Sequence, residues 1–253
     1  RQKPNELRLA SIATEQRIPN GFLFSCENTI NQIMKKYYEA YEDRYKSAHE
    51  SGVSWAGENP TPIVLQTLEK YGVNKTAKIL EIGCGEGRDA RAVLACGYNL
   101  AATDISHEAI SYCKKKMPEY ADCFSILDCI GGERDEKYDF VYAVAVLHML
   151  VLDEDRRKFY DFIKKHLSKD GLALVCSMGD GEVEHKSDIS TAFEIQERIH
   201  PSGVMKVAGT SCRKVSFATF DKEIDNAGLH IVEAGITESM PDFNSLMYAV
   251  LKA

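Results

Sequence analysis

The sequence predicts an α/β protein with a doubly wound, mostly parallel seven-stranded sheet, an N-terminal helical extension and a lid inserted after the fifth strand. Three observations carry that expectation. Short β-prone runs near 78–82, 99–104, 122–127, 138–144 and 172–177 alternate with helical patterns near 88–96, 107–116 and 154–167. A glycine-bearing turn, Gly83-Cys84-Gly85-Glu86-Gly87, joins the first of those strands to the first of those helices. A tail of helix 217–227, strand 229–236 and strand 246–252 reads as an antiparallel edge added to the sheet.

In chain order, residues 1–20 are polar and carry Pro4 and Pro19, which predicts a loose or surface-lying start. From Ser25, an N-cap residue type, to about Ser47, the residues Ile30, Ile33, Met34, Tyr37, Tyr38, Tyr41 and Tyr45 recur at helical spacing. Most of these tyrosines are expected to pack on the domain, with Tyr38 and Tyr41 the candidates for lining a substrate pocket. The loop Ser51 to Pro62 holds the chain's single tryptophan, Trp55, among glycines and prolines; it suits a packing anchor and a flap over a flat ligand equally. Pro62 to Tyr71 should be a short helix leading into the glycine strand. The organisation expected is an extension and flap over 1–60 followed by the main domain over 61–253. In the alternating core the crossover after the third strand is least regular, since Ile130 to Lys137 is short, charged and glycine-bearing.

After the fifth strand, residues 179–213 are far more than a strand-to-helix connection needs, and a long insertion at the carboxyl edge of a sheet reads as a lid. Its middle, Asp188 to His200, spaces Ile189, Ala192, Phe193, Ile195, Gln196 and Ile199 as a helix does, with Met205 and Val207 packing nearby. Arg213 is the cation here placed to reach inward and fix a polar or anionic group of a substrate; pairing with a lid carboxylate is the alternative.

Length and charge bound the function. At 253 residues the chain fits one large α/β domain with additions. Its 31 Lys and Arg against 38 Asp and Glu leave a net charge of −7 with no basic blocks, which disfavours nucleic acid as a partner. The eight cysteines form no C-x-x-C pair and fall in core-like positions, as small buried hydrophobes in a reducing compartment would. No H-E-x-x-H or paired Cys/His set suggests a metal. The longest apolar stretch, Phe140 to Leu152, is too short to span a bilayer and the start has no signal-like run, so a soluble, cytoplasmic protein is expected. Oligomeric state is not legible.

The glycine turn carries the chemistry. Glycines 83, 85 and 87 permit positive φ and close ligand approach, and the following helix offers unpaired N–H groups. The second strand ends in Asp104, 17 residues after Gly87, where an acid commonly takes ribose hydroxyls. The dinucleotide fingerprint would need a glycine at position 88, which is Arg88. The stretch Glu81-Ile82-Gly83-Cys84-Gly85-Glu86-Gly87 instead resembles the first motif of the class I S-adenosylmethionine-dependent methyltransferases, whose domain has a Rossmann-like fold. The likeness covers roughly Ala77 to Leu174 and, more loosely, the C-terminal strands.

That resemblance implies S-adenosyl-L-methionine as cofactor and methyl transfer to a small-molecule acceptor by in-line displacement. It implies that Glu81 organises the loop and the methionine end, that Gly83, Cys84, Gly85, Gly87 and Arg88 lie against the cofactor, and that Asp104 takes the ribose hydroxyls. Ile105 would pack on the adenine, Asp128 accept from its amine, and Cys129 and Ile130 flank the ring, with Ala143 and Trp55 completing the cofactor set. The fourth-strand run through Ala143 to Leu150 resembles the small-molecule branch and lacks the Asn/Asp-Pro-Pro-aromatic motif of enzymes acting on planar amines. No Pro-Cys dipeptide of cytosine-5 chemistry occurs. Ser54-Trp55 with Asn59-Pro60-Thr61-Pro62 resembles tellurite-resistance and thiopurine methyltransferases. His148 is the general-base candidate by position, against a plain packing role. RNA methylation, a cofactor-binding module without activity, and a nicotinamide oxidoreductase are the competing readings. The acidic balance opposes the first, and Arg88 opposes the last.

Overall fold

A computed structural model of the chain describes residues 35–237 and 245–253. The expectations for the first 34 residues, including the start of the helix placed from Ser25, and for the turn at Pro241 and Asn244 lie outside the described residues. The unit Tyr37–Ala253 begins with a 3-10 turn, Tyr37–Glu39, then helix α1 Ala40–Glu50 and, after the tryptophan loop, α2 Pro62–Lys70. The alternating core follows as β1 Ile79–Ile82, α3 Arg88–Ala95, β2 Leu100–Asp104, α4 His107–Lys116, β3 Phe124–Ile126, β4 Tyr138–Val144, α5 Asp153–His166 and β5 Leu167–Met178. The insertion carries β6 His185–Lys186, β7 Ile195–His200, β8 Gly203–Ala208 and β9 Arg213–Lys214. Helix α6 Phe217–Asn226 and strands β10 His230–Thr237 and β11 Leu246–Lys252 close the unit.

The seven-stranded sheet runs β10-β11-β5-β4-β1-β2-β3, with β3, β2, β1, β4 and β5 mutually parallel and β11 antiparallel to β5. Chain order reverses between β1 and β4, and in such sheets the crevice for ligands opens beyond the carboxyl ends at that point. Strand alternation divides the interior into two cores. On β4, Val141 and Ala143 join Leu80, Ile82 and Phe159 on one face, while Phe140, Tyr142 and Val144 join Ile79, Leu174 and Cys176 on the other. Burying a side chain such as Phe159, wholly inaccessible here, contributes about 1.5–3 kcal/mol. Helix starts follow local chemistry: Ser106 accepts the Ala109 N–H and Ser216 the Thr219 N–H, caps typically worth about 1 kcal/mol.

The insertion departs from its sequence expectation. Asp188 to His200 forms one 3-10 turn, Ile189–Thr191, and then a strand, and β7 pairs with β8 from Ile195 opposite Ala208 to His200 opposite Gly203. A hairpin wins because Pro201 and Ser202 supply a tight turn, Gly203 takes φ +124°, and the apolar side chains needing cover are on β8. Met205 and Val207 pack on Ala48 of α1 with Val53 and Trp55 beside them, whereas Ile195 and Ile199, whose spacing suggested a helix face, are exposed. Among the described residues no helix is long and apolar enough to cross a membrane.

Candidate active site

At the carboxyl end of β1 the chain turns through Gly83 (φ +72°) and Gly85 (φ +53°). A Cβ on Gly83 would lie 2.3 Å from Val146 Cγ2, and one on Gly85 2.8 Å from the Tyr45 hydroxyl, so glycine is required by crowding as well as by φ. The Gly85 N–H donates to Asp104 Oδ2 at 2.7 Å and the Ser106 N–H to Oδ1 at 2.8 Å, which locks the end of β2 to the glycine loop. Burial pushes the Asp104 carboxyl up to about 6 against the pull of those two N–H groups. Glu81 is buried inside β1 beside Tyr142, its register partner on β4. Burial first, then the neighbouring Asp89 charge, holds its carboxyl well above the usual range. Glu81 Oε2 has no hydrogen-bond partner among the described residues.

Above this floor sits a rim from three segments. Glu86 accepts the backbone N–H groups of Trp55 and Ala56, each at 2.7 Å, and also faces His49 Nε2 at 2.8 Å. Asp89 likewise holds the Thr61 N–H at 2.6 Å, with Arg88 bridging Asp89 and the Thr61 hydroxyl. Trp55 stacks on His200 of the β7–β8 hairpin with ring centroids 5.9 Å apart, and His200 Nε2 lies 3.0 Å from the Ser54 carbonyl. The buried Arg44 guanidinium sits 4.7 Å from the Trp55 ring centre and 4.9 Å from that of Tyr41. It donates to the carbonyls of Ala208 and Gly209 at the end of β8. Helix α1, the tryptophan loop and the hairpin are therefore one connected structure.

Floor and rim enclose a cavity of about 350 Å³, in the size range of small-molecule sites. Of the residues expected from sequence, Glu81, Gly83, Cys84, Gly85, Arg88, Asp104, Ile105, Asp128, Cys129, Ile130 and Trp55 line it, as do Tyr38 and Tyr41. Four others do not. Gly87 (φ +78°) starts α3 facing α4, where a Cβ would meet Met117 Cε at 2.6 Å. Ala143 faces the core, and the next three residues, Val144, Ala145 and Val146, form the wall. His148 is buried away from the cavity, and burial, with the Arg156 charge next, pushes it down to about 3, so it is neutral at working pH. Arg213 pairs with Asp153 and donates to the Val151 carbonyl at 3.0 Å, off the cavity wall. Sequence reasoning missed Tyr45, Glu86, Asp89, Arg198 and Ala145, the last held at φ +59° at the exit of β4. The acids were visible inside the glycine motif; Arg198 had no signal beyond its charge.

Residues 80–173 match the family model for a methyltransferase domain. An uncharacterized methyltransferase of Schizosaccharomyces pombe is 26% identical over 142 residues, so the match spans about half of each chain, 53% of both. Among solved structures, the 1,6-didemethyltoxoflavin-N1-methyltransferase of Burkholderia thailandensis superposes with a TM-score of 0.61 at 12% identity, covering 99% of this chain and 98% of that one. The CcbJ methyltransferase of Streptomyces caelestis gives 0.63 at 15% identity over 85% and 98% of the two chains. At such identities the superpositions speak for the fold, and the matched sequence segment covers the glycine turn, Asp104 and Asp128. Residues 80–173 thus carry a methyltransferase-domain match, set in a chain that shares the fold of these methyltransferases.

Proposed function

We propose that this chain moves a methyl group from S-adenosylmethionine to a small-molecule acceptor bound under the Trp55 rim. The observation that carries the cofactor reading is the unpartnered, buried Glu81 Oε2 on the wall of a cavity whose floor is Gly83 and Gly85 and whose flank is Asp104. A buried polar atom left without a partner costs about 1–3 kcal/mol, and a ligand ammonium would supply both the donor and the charge that lets Glu81 ionise. Asp104, fixed by two backbone donors, keeps acceptor capacity for vicinal hydroxyls, and Asp128, steadied by the Ile130 N–H at 2.9 Å, for an exocyclic amine.

Bound there, the cofactor supplies a methyl group on a positively charged sulfur, an electrophile that needs no further activation. What remains for the chain is to position the acceptor and exclude water, and the Tyr38, Tyr41 and Trp55 side chains with the hairpin turn do so. The size of the cavity and the net charge of −7 favour a small acceptor over RNA. The Burkholderia neighbour, by its name, methylates a small molecule. Calorimetry with S-adenosylhomocysteine and with NADH, followed by an acceptor screen read by nucleoside product, tests the reading. Tight NADH binding with no response to S-adenosylhomocysteine would overturn it.

A further inference from the structure

Among the described arginines, Arg88, Arg134, Arg156, Arg157 and Arg213 each meet a carboxylate, and the surface Arg91 donates to the Glu58 carbonyl. Two others, at the rim, have no carboxylate partner among the described residues. Arg44 spends its donors on the Ala208 and Gly209 carbonyls, at 2.6 and 2.7 Å. Arg198, on β7, touches Gln196 Oε1 at 2.8 Å and reaches the same Gly209 carbonyl at 3.5 Å through Nη2. Among the described residues its Nε and Nη1 meet no acceptor, and Arg198 lines the cavity.

Two guanidiniums converging on one carbonyl oxygen repel each other. Burial chiefly, with the Arg198 charge adding to it, pulls Arg44 below its ordinary value. In a chain with seven more acids than bases, neither Arg44 nor Arg198 forms an ion pair with a carboxylate among the described residues. Of the acids lining the cavity, Glu81, Asp104 and Asp128 stand on or just past the strands of the main sheet and Glu86 and Asp89 on the glycine turn and the start of α3, none of them on the hairpin that carries Arg198. The cavity is thus acidic along the floor and basic at the lid edge, and an anion at that edge would relieve the repulsion. A guanidinium with free donors matches the two oxygens of a carboxylate.

We infer that the methyl acceptor is a small organic acid whose carboxylate is held by Arg198 at the lid edge of the cavity, with the Arg44 charge behind it. This rests on the methyl-transfer reading for the word acceptor, but the anion site itself does not. Arg198 acts here as a specificity-determining residue, on a hairpin that needs only its β8 side to pack.

The test titrates the protein, free and loaded with S-adenosylhomocysteine, with benzoate and succinate and with their neutral isosteres benzamide and succinamide, read by calorimetry and by NMR line broadening of each probe. The acids should bind at least tenfold more tightly than the amides. Arg198→Met should erase that preference while S-adenosylhomocysteine binds within twofold of wild type, and Arg198→Lys should keep part of it. Because Arg198 is exposed and Arg44 buried, these variants leave the fold intact where an Arg44 change would not. Equal binding of acids and amides, a preference that survives Arg198→Met, or a matching loss of S-adenosylhomocysteine affinity would each overturn the inference. The last would place the guanidinium on the cofactor's own carboxylate. Should S-adenosylhomocysteine fail to bind while the acid preference persists, the methyl-transfer reading falls and the anion site stands.

Discussion

Glu86 of the glycine turn accepts the Trp55 N–H at 2.7 Å, so a carboxylate from the floor of the cavity holds up its roof. The same side chain takes the Ala56 N–H and faces His49, whose other ring nitrogen lies 2.7 Å from Glu108. Glu86→Ala removes all three contacts at once. It should lower stability by about 2 kcal/mol, a typical loss for hydrogen bonds to a buried charged group. Proteolysis within 51–60 should quicken, and the fluorescence response of Trp55 to S-adenosylhomocysteine should shrink. Unchanged cleavage and an unchanged signal would show the loop held by packing alone.

Asp104 sets the pH response. Its carboxyl is raised by burial to about 6 in the free protein, and in the proposed cofactor site it accepts ribose hydroxyls best when ionised. A raised acid favours the neutral form as pH falls, so the fold gains from protonation below about 6 while cofactor binding loses. S-adenosylhomocysteine affinity should be flat above pH 7 and decline toward tenfold per pH unit below about 6. Calorimetry across that range should show weaker binding for Asp104→Asn, without the additional decline that sets in below about 6 in the wild type. A wild-type profile that stays flat to pH 5 would remove Asp104 from the binding site.

Gly83 tests the closeness of the floor. Gly83→Ala places a Cβ 2.3 Å from Val146 Cγ2 at φ +72°, and should cost about 2 kcal/mol from strain and overlap together. Val146→Ala in the same chain should recover the overlap and leave the φ cost, a coupling of about 1 kcal/mol in a double-mutant cycle by denaturant unfolding. Strict additivity would mean that the loop moves away from β4.

Arg213 reports on structure alone. Arg213→Met breaks its pair with the exposed Asp153 and its bond to the Val151 carbonyl, and should lower stability by about 1 kcal/mol. S-adenosylhomocysteine affinity and acceptor KM should not move. A raised KM would return Arg213 to the acceptor.

The legible parts of this molecule were those fixed by short-range pattern. Ile79 to Gly87 announces strand, turn and helix within a dozen residues, and Asp104 follows from the length of one crossover. The insertion after β5 reads as a helix because Ile189, Ala192, Phe193, Ile195 and Ile199 satisfy helical spacing while the partner that decides the matter, β8, lies beyond the Pro201 turn. Strand pairing is non-local, and one strand's apolar residues do not reveal it when the pair buries the other strand's. Arg44 and Arg198 were overlooked for a related reason. Each lies in a segment read for its apolar or aromatic residues, and their meeting at Gly209 depends on the hairpin's register. Ala143 and Val144 show the finer limit: the wall begins one residue later than expected, and alternation along β4 turns that single step into the opposite face of the sheet.

Tyr41, Trp55, Arg198 and His200 all lie outside the 80–173 segment that matches the family model, while Glu81, Asp104 and Asp128 lie within it. Roof and floor thus come from separate stretches of the chain. The roof joins the sheet at element ends and across side-chain bonds such as Glu86 to Trp55 and Asp89 to Thr61, without entering the strand order of the main sheet. A chimera that takes 37–61 and 179–216 from a relative with another acceptor, keeping Glu86 and Asp89, should preserve the sheet and exchange the chemistry above it.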